Sequence, residues 1–146
     1  MKHKVYIMVG PSGSGKSTWI KDNLPLNTVV CSADRFFYED QGVYRFDPKG
    51  LQSAHRQCQS GYSKYIHQGW QVIAVDNTNL TNKERKFYVR LAKKCNYEIH
   101  YVVFKCDNVA LLVGRNTKGT PQHTIERHIR KMSIPDDKNV EIVEVT

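Results

Sequence analysis

The 146-residue sequence has no apolar run near the ~20 residues that a membrane-spanning helix requires. Its four cysteines are widely spaced, with no C-x-x-C pair and no accompanying histidine, which argues against a zinc site and against a disulfide framework. Internal repeats and low-complexity tracts are also lacking. We therefore expect a cytoplasmic protein with reduced thiols and no membrane partner, folded as one domain over residues 1–146.

Acidic residues are scarce over most of the chain. Residues 1–135 contain 21 basic and 10 acidic side chains, a net charge of +11, and the whole chain carries +8. Such an excess suits polyanions such as nucleic acids, nucleotides or an anionic membrane, although a generally basic solvated surface would look the same. Charge alone does not choose between these interpretations.

Residues 10–17 match the P-loop pattern G-x-x-x-x-G-K-[ST] at every fixed position. The apolar run Lys4–Val9 precedes them and predicts a buried strand, and residues 18–21 predict the first turns of a helix. Strand, loop and helix in this order are the context that the motif requires, so a flexible Gly/Ser turn that fits by chance is the weaker interpretation. The motif predicts a site for a nucleoside triphosphate.

Each part of this loop has an expected task. Backbone N–H groups and the start of the helix would surround phosphate oxygens, Lys16 would reach the β- and γ-phosphates, and the Ser17 hydroxyl would ligate Mg²⁺. ATP and Mg²⁺ are thus the expected cofactors. The residues expected to bind them are Gly10, Ser12, Gly13, Ser14, Gly15, Lys16, Ser17 and Thr18.

Strand-like and helix-like segments alternate along the whole sequence. Short apolar runs near residues 28–32, 71–75, 97–104 and 140–145 follow the first strand, with helical patterns between them. The last two helical patterns cover residues 109–113 and 122–132. A capping box at Thr81-x-x-Glu84 opens a helix expected to turn Phe87 and Leu91 to the core, with Tyr88 as a further candidate. This order predicts an α/β fold: a parallel sheet of four or five strands with helices on both faces.

Polar residues follow three of these predicted strands. The first strand leads into the P-loop, the second into Asp34, and the third into Asp76-Asn77-Thr78-Asn79. Ligands of parallel sheets bind beyond the carboxyl ends of the strands, so we expect these residues to share one crevice. Either aspartate could hold Mg²⁺, leaving the other free as a general base toward an acceptor hydroxyl. An aspartate after a strand is also a common turn or cap residue.

Two cations lie in a predicted loop between the last two helices. Arg115 and Lys118 flank Asn116-Thr117 and precede Gly119, the position of a lid that closes over ATP. Both are expected to stabilise charge on the phosphoryl group in transfer.

Aromatic residues alternate with arginine between Asp34 and Asp47. Stacking rings beside cations suit single-stranded nucleic acid, while aromatics that pack under a loop would show the same pattern. The residues concerned are Arg35, Phe36, Phe37, Tyr38, Tyr44, Arg45 and Phe46.

In combination these segments resemble the kinase domain of phage-type polynucleotide 5′-hydroxyl kinases. The matching segments, in the family's order, are residues 10–19, Ser32-Ala33-Asp34, Asn77-Thr78-Asn79-Leu80 and Arg115-Asn116-Thr117-Lys118-Gly119-Thr120. The resemblance covers most of the chain. The family's D-x-D-G-T phosphatase motif is absent.

The resemblance implies roles for several residues. Asp34 would be the general base for the 5′-hydroxyl group, and Arg115 or Lys118 the lid cation. Asn77 stands where the family has an aspartate, and the carboxylate lies one residue earlier at Asp76, which with Ser17 is the expected metal ligand.

The acceptor side departs from the family at one position. Phe37 replaces the family's substrate-phosphate arginine, so Arg35 or another cation would take its place. The expected substrate-binding residues are Arg35, Asp76, Asn77, Thr78 and Asn79.

These observations predict ATP- and Mg²⁺-dependent phosphoryl transfer to the 5′-hydroxyl group of a nucleic acid, which would be the partner. Two alternatives stay open: a zeta-toxin-like kinase of a small hydroxylated metabolite or sugar nucleotide, and a regulatory module that binds nucleotide and hydrolyses it slowly. A regulatory switch would not need the acceptor-side carboxylate of Asp34.

Overall fold

The computed structural model describes residues 2–38 and 44–146. Strands and helices alternate along the chain, and the Ala33–Phe37 and Pro48–Gly50 segments form short 3₁₀ helices. The strands are β1 Lys4–Val9, β2 Val29–Cys31, β3 Val72–Val75, β4 Glu98–Lys105 and β5 Val140–Glu144. The helices are α1 Lys16–Asn23, α2 Leu51–His67, α3 Asn82–Lys94, α4 Val109–Arg115 and α5 Gln122–Lys131.

The five strands form one sheet in the order β2-β3-β1-β4-β5. All pairings are parallel; β1 lies at the centre, with Val5 opposite Ile73 on one side and Ile99 on the other. Parallel neighbours require a crossover connection, which the intervening helices supply. The predicted α/β fold with a parallel sheet is confirmed.

The sheet is covered on both faces, as the continuous apolar character of its strands predicts. Alternate residues of β1 face opposite sides: Val5, Ile7 and Val9 join the core that includes α2 and α3 residues, whereas Met8 packs with Ile20 of α1. A smaller apolar cluster holds α4 against α5. Successive side chains of a strand point to opposite faces, which explains the two cores.

Helix α3 corrects one expectation about the core. Phe87 was expected to face the core but is 38% exposed, whereas the further candidate Tyr88 is 2% exposed and Leu91 packs partly buried against the core. Arg85 lies on the same buried row as Tyr88, 2% exposed, and donates hydrogen bonds to the carbonyl oxygens of Asn79 (2.7 Å) and Ser133 (3.2 Å). A buried cation requires such partners. The row of α3 residues that faces the core therefore consists of Arg85, Tyr88 and Ala92.

In the described part of the chain, no helix combines the length and apolar character needed to span a bilayer.

Candidate active site

The ends of three neighbouring strands bring the polar segments together at one edge of the sheet. Backbone hydrogen bonds connect them: Gly10 N–H donates to Thr78 O (3.0 Å), and Asp76 N–H donates to Cys31 O (2.8 Å). The segments after β1, β2 and β3 are therefore adjacent. The crevice expected from the sequence is present at this edge.

The P-loop has the backbone shape that its glycines permit. Gly13 and Gly15 adopt left-handed conformations with φ of 83° and 98°. A Cβ atom at Gly13 would stand 2.5 Å from the carbonyl oxygen of Leu112 in α4, so only glycine fits there. Ser14 is buried and donates to Pro11 O (2.7 Å), which helps to fix the curled loop.

The Lys16 ammonium lies inside this loop. Its Nζ donates to Gly10 O (3.0 Å) and Pro11 O (2.9 Å). Burial lowers the pKa of Lys16 to about 8, and the carboxylate of Asp76 opposes this shift. The amine thus stands in the hollow that the motif provides for phosphate groups.

Ser17 and Asp76 form a pair of oxygen ligands. Ser17 Oγ donates to Asp76 Oδ2 at 2.5 Å, so a hydroxyl and a carboxylate converge on one small volume beside Lys16. Mg²⁺ prefers hard oxygen ligands and commonly keeps one or two from the protein together with water and phosphate oxygens. The donor set fits that ion.

Asp34 stands across the crevice and forms an ion pair with Lys118. The ammonium of Lys118 also lies 5.7 Å from the centre of the Tyr44 ring. Arg115, the other expected lid cation, instead donates to Thr146 O at 2.5 Å. Of the two cations, Lys118 is the one that the structure brings to the carboxylate.

Ser12 of the P-loop connects to the segment between α4 and α5, which contains Lys118. Asn116 Nδ2 donates to Ser12 Oγ (2.6 Å), and Asn116 Oδ1 accepts from the backbone N–H groups of Lys118 and Thr120 (both 2.9 Å). Thr120 Oγ1 lies 3.1 Å from Ser12 Oγ. These bonds hold the segment so that Lys118 points into the crevice. Nothing in the local sequence marks Asn116 and Thr120 for this contact, although an asparagine two residues before the cation is typical of a local turn.

Helix α5 provides a second contact with Ser12. Ser12 N–H donates to Nδ1 of His128 at 3.3 Å. Burial lowers the pKa of His128 to about 4, and the nearby charge of Lys16 acts in the same direction. The neutral ring is the form that accepts this hydrogen bond. Sequence reasoning missed His128, because nothing in its neighbourhood along the chain marks it.

We expect His128 to make folding sensitive to mild acid. The unfolded chain protonates this histidine near its ordinary pKa of 6.5, whereas the folded protein does so only near 4. The contribution of the neutral His128 to the free energy of unfolding is complete above pH 6.5 and is lost as the pH falls toward 4. The free energy of unfolding should decrease by on the order of 2 kcal/mol between pH 7 and 5. Urea titrations at the two pH values would measure this decrease.

The matched control is His128→Asn, whose amide oxygen can take the place of Nδ1 without titrating. This variant should lose markedly less stability than the natural protein between pH 7 and 5. An equal loss in both proteins would show that other groups cause the pH dependence.

The amide side chains of Asn77 and Asn79 are engaged within the protein. Asn77 Oδ1 accepts from Ala33 N–H (2.8 Å), directly beside Asp34. Asn79 is 3% exposed, and its Nδ2 donates to Met8 O (2.8 Å). Both residues connect strand ends to one another. Their expected role in substrate binding stays a prediction, as does that of Thr78.

A groove of about 400 Å³ opens from this site. It begins at Ser17, Asp34, Asp76 and Lys118 and runs between α1 and the Ala33–Phe37 helix, past Arg35. A protonatable carboxylate, a metal-type oxygen pair and a cation thus meet at the end of a space large enough for a small molecule or one nucleotide.

The aromatic stretch beside this groove has two kinds of members. Phe37 is buried and packs on Phe46, with ring centres 5.0 Å apart, whereas Phe36 and Tyr38 are exposed. Residues 39–43, which belong to the same stretch, lie outside the described residues. The stretch therefore contains both packed and accessible rings.

Comparison with known proteins agrees with this architecture. The family model described as AAA domain matches residues 5–133. NEDD4-binding protein 2 from Homo sapiens is 37% identical over 97 residues, which are 64% of this chain and 5% of that protein. The chain therefore spans only a small part of that relative's length.

Solved structures with the same fold include kinases. A structure of the Pnkp1/Rnl/Hen1 RNA repair complex matches with a TM-score of 0.67 and 23% identity, over 89% of this chain and 44% of that one. A gluconokinase from Sinorhizobium meliloti 1021 matches with a TM-score of 0.62 and 13% identity, over 98% of this chain and 83% of that one. At these identities the likeness concerns the P-loop kinase fold.

Proposed function

This chain belongs to the AAA domain family, and we propose that it is a kinase that transfers the γ-phosphoryl group of ATP to the 5′-hydroxyl group of a nucleic acid. Family and fold support nucleotide binding by the P-loop. The choice of acceptor and the roles of individual residues are inferred from the geometry of the site.

The observation that carries the proposal is the position of Asp34. Its carboxylate lies at the inner end of the groove, across from the Ser17–Asp76 pair, and its side chain is 40% exposed. A protein that only bound ATP would not need an accessible carboxylate on the acceptor side. A hydroxyl group in the groove could donate its proton to Asp34 directly.

In the proposed reaction, the acceptor oxygen attacks the γ-phosphorus in line as Asp34 takes the hydroxyl proton. A new oxygen–phosphorus bond forms, the bond to the β-phosphate oxygen breaks, and ADP leaves with the electron pair. Lys16 and the P-loop N–H groups stabilise negative charge on the phosphates. Mg²⁺, held by Ser17 Oγ and Asp76, would neutralise further phosphate charge when bound.

Two features support a nucleic acid as the acceptor. Arg35 and Tyr38 line the groove just beyond Asp34, where a phosphate and a base of a strand would follow the reacting hydroxyl group. The net charge of +11 over residues 1–135 favours a polyanion. One structural relative is a component of an RNA repair complex, which agrees with this choice of acceptor.

The size of the groove supports a second candidate acceptor. A volume of about 400 Å³ also suits a small hydroxylated metabolite, and one structural relative is a gluconokinase. Such a kinase would use the same Asp34 chemistry but would need no polymer.

The direct test is incubation with γ-labelled ATP and an oligonucleotide with a free 5′-hydroxyl group at low salt. Label should appear at the 5′ end, and the same oligonucleotide carrying a 5′-phosphate is the matched control. Transfer to sugars or nucleosides but to no oligonucleotide would replace the proposal by the small-molecule alternative.

Arg35→Ala should weaken acceptor binding while ATP affinity barely changes. The arginine is exposed at the groove and would neutralise one phosphate. The slope of log affinity against log salt concentration should therefore become less steep by about 1. Oligonucleotide and ATP titrations at several salt concentrations would measure both effects. An unchanged salt slope would show that Arg35 does not contact the acceptor.

A further inference from the structure

The outer face of α3 is basic, with Phe87, 38% exposed, as its large apolar side chain. Its apolar side, with Tyr88 and Ala92, is buried in the core, and its exposed charges are all positive. Glu84, the sole acid of the helix, caps the N-terminus through Thr81 and forms an ion pair with Lys131. The exposed cations, here called the α3 face, are Lys83, Lys86, Arg90, Lys93 and Lys94.

Within the part of the chain that the structure describes, these cations have no acidic partners. Among residues 2–38 and 44–146, no ion pair and no side-chain hydrogen bond involves any member of the α3 face. Like charges along one side of a helix repel each other and lower its stability slightly. An anion along this face would relieve that repulsion.

A groove of about 410 Å³ lies beside the α3 face, between the helix and the segment around Pro135. Lys83, Lys86 and Arg90 form one wall. Asp137 is the acidic residue of the lining, and it accepts a hydrogen bond from Tyr101 OH at 3.0 Å. With Arg85, which also lines the groove, four cations face one carboxylate and leave the groove positive.

The α3 face begins at the same edge of the sheet as the candidate active site. Helix α3 starts at Asn82, shortly after Asp76, and Arg85 fixes this end through hydrogen bonds to Asn79 O and Ser133 O. Lys83 and Lys94 are separated by about 16 Å along the helix axis, at 1.5 Å per residue. This length matches several consecutive phosphates of a nucleic-acid strand.

We propose that the α3 face is a second nucleic-acid contact, which binds the phosphate backbone of an acceptor strand away from its reacting 5′ end. The identity of the ligand rests on the proposed function. A membrane surface fits less well, because a helix that binds in the bilayer interface must expose an apolar side, whereas Tyr88 and Ala92 are buried and Phe87 is the one exposed large apolar side chain of α3.

The test is charge reversal in the full chain with Lys83→Glu, Lys86→Glu and Arg90→Glu combined. Binding of a fluorescent single-stranded oligonucleotide of about 20 nucleotides is measured by anisotropy at several salt concentrations. Affinity should fall more than tenfold, and the salt slope should shrink by about two, since three single-strand phosphate contacts contribute roughly 0.7 each.

The matched control changes the same total charge elsewhere. Lys64, Lys105 and Lys138 are exposed and lie outside α3, and their combined replacement by glutamate should change affinity less than threefold. The triple alanine variant of Lys83, Lys86 and Arg90 repeats the test without new acids, and circular dichroism checks the fold of each variant. Equal binding losses in the α3 and control variants would overturn the inference.

The outcomes separate this inference from the proposed function. If the natural protein binds the oligonucleotide through the α3 face but phosphorylates none, the inference stands and the proposed function fails. If it phosphorylates oligonucleotides and reversal of the α3 face leaves their affinity unchanged, the inference fails alone. Binding to anionic vesicles but to no oligonucleotide at low salt would also overturn it.

Discussion

Phosphoryl transfer by the Lys16→Ala variant is expected to fall to background, a loss of at least about 10³-fold. Removal of even one neutral hydrogen-bond donor from such a site costs ~10²–10³-fold, and Lys16 carries a full charge directed at the phosphates. Its Nζ already stands in the hollow of the loop, against Gly10 O and Pro11 O. The measurement is the rate of label transfer at saturating ATP.

Lys138→Ala is the matched control, because it removes an exposed lysine far along the chain from the loop. It should leave transfer near normal. Near-normal turnover of the Lys16→Ala protein at saturating ATP would mean that the P-loop assignment is wrong.

Asp34→Asn is expected to reduce transfer by roughly 10²–10⁴-fold while ATP affinity stays almost unchanged, as loss of a general base predicts. Asparagine has nearly the same shape but is far too weak a base to take the hydroxyl proton. It also loses the ion pair with Lys118, though its amide oxygen can still accept a hydrogen bond from that ammonium. Turnover and ATP affinity are measured on the same preparation.

Asp76→Asn is the comparison that distinguishes the two aspartates. As a metal ligand beside Ser17, Asp76 should affect Mg²⁺-dependent ATP binding as well as turnover. If Asp34→Asn instead lowered ATP affinity and turnover equally, Asp34 would be the metal ligand and Asp76 the better candidate for the base.

The fold was predictable because each strand and helix has a local signal. The P-loop fixes the first strand–loop–helix unit, Thr81 and Glu84 mark the start of α3, and short apolar runs mark the other strands. Alternation of strands and helices then leads to a parallel sheet, and a parallel sheet collects the ends of its strands at one edge. Asp34 and Asp76 were found by this route.

Other parts of the site depend on contacts between residues distant in sequence. Ser12 meets Asn116, Thr120 and His128 only after α4 and α5 fold over the P-loop, and no spacing along the chain encodes those contacts. Phe87 was wrongly assigned to the core side of α3 for the same reason. Burial of Arg85 depends on carbonyl groups of Asn79 and Ser133, and the latter lies 48 residues away.

The position of the Lys16 ammonium also lowers the stability of the protein without nucleotide. Since burial lowers its pKa to about 8 from 10.5, holding it charged at pH 7 opposes folding by on the order of 3 kcal/mol. The protein without nucleotide already bears that cost, so an incoming polyphosphate meets a cation that the loop holds in place and partly shields from water. Lys16 thus lowers the stability of the protein without nucleotide and raises its affinity for a polyphosphate. The Lys16→Ala protein, although inactive, should for this reason resist urea better than the natural one.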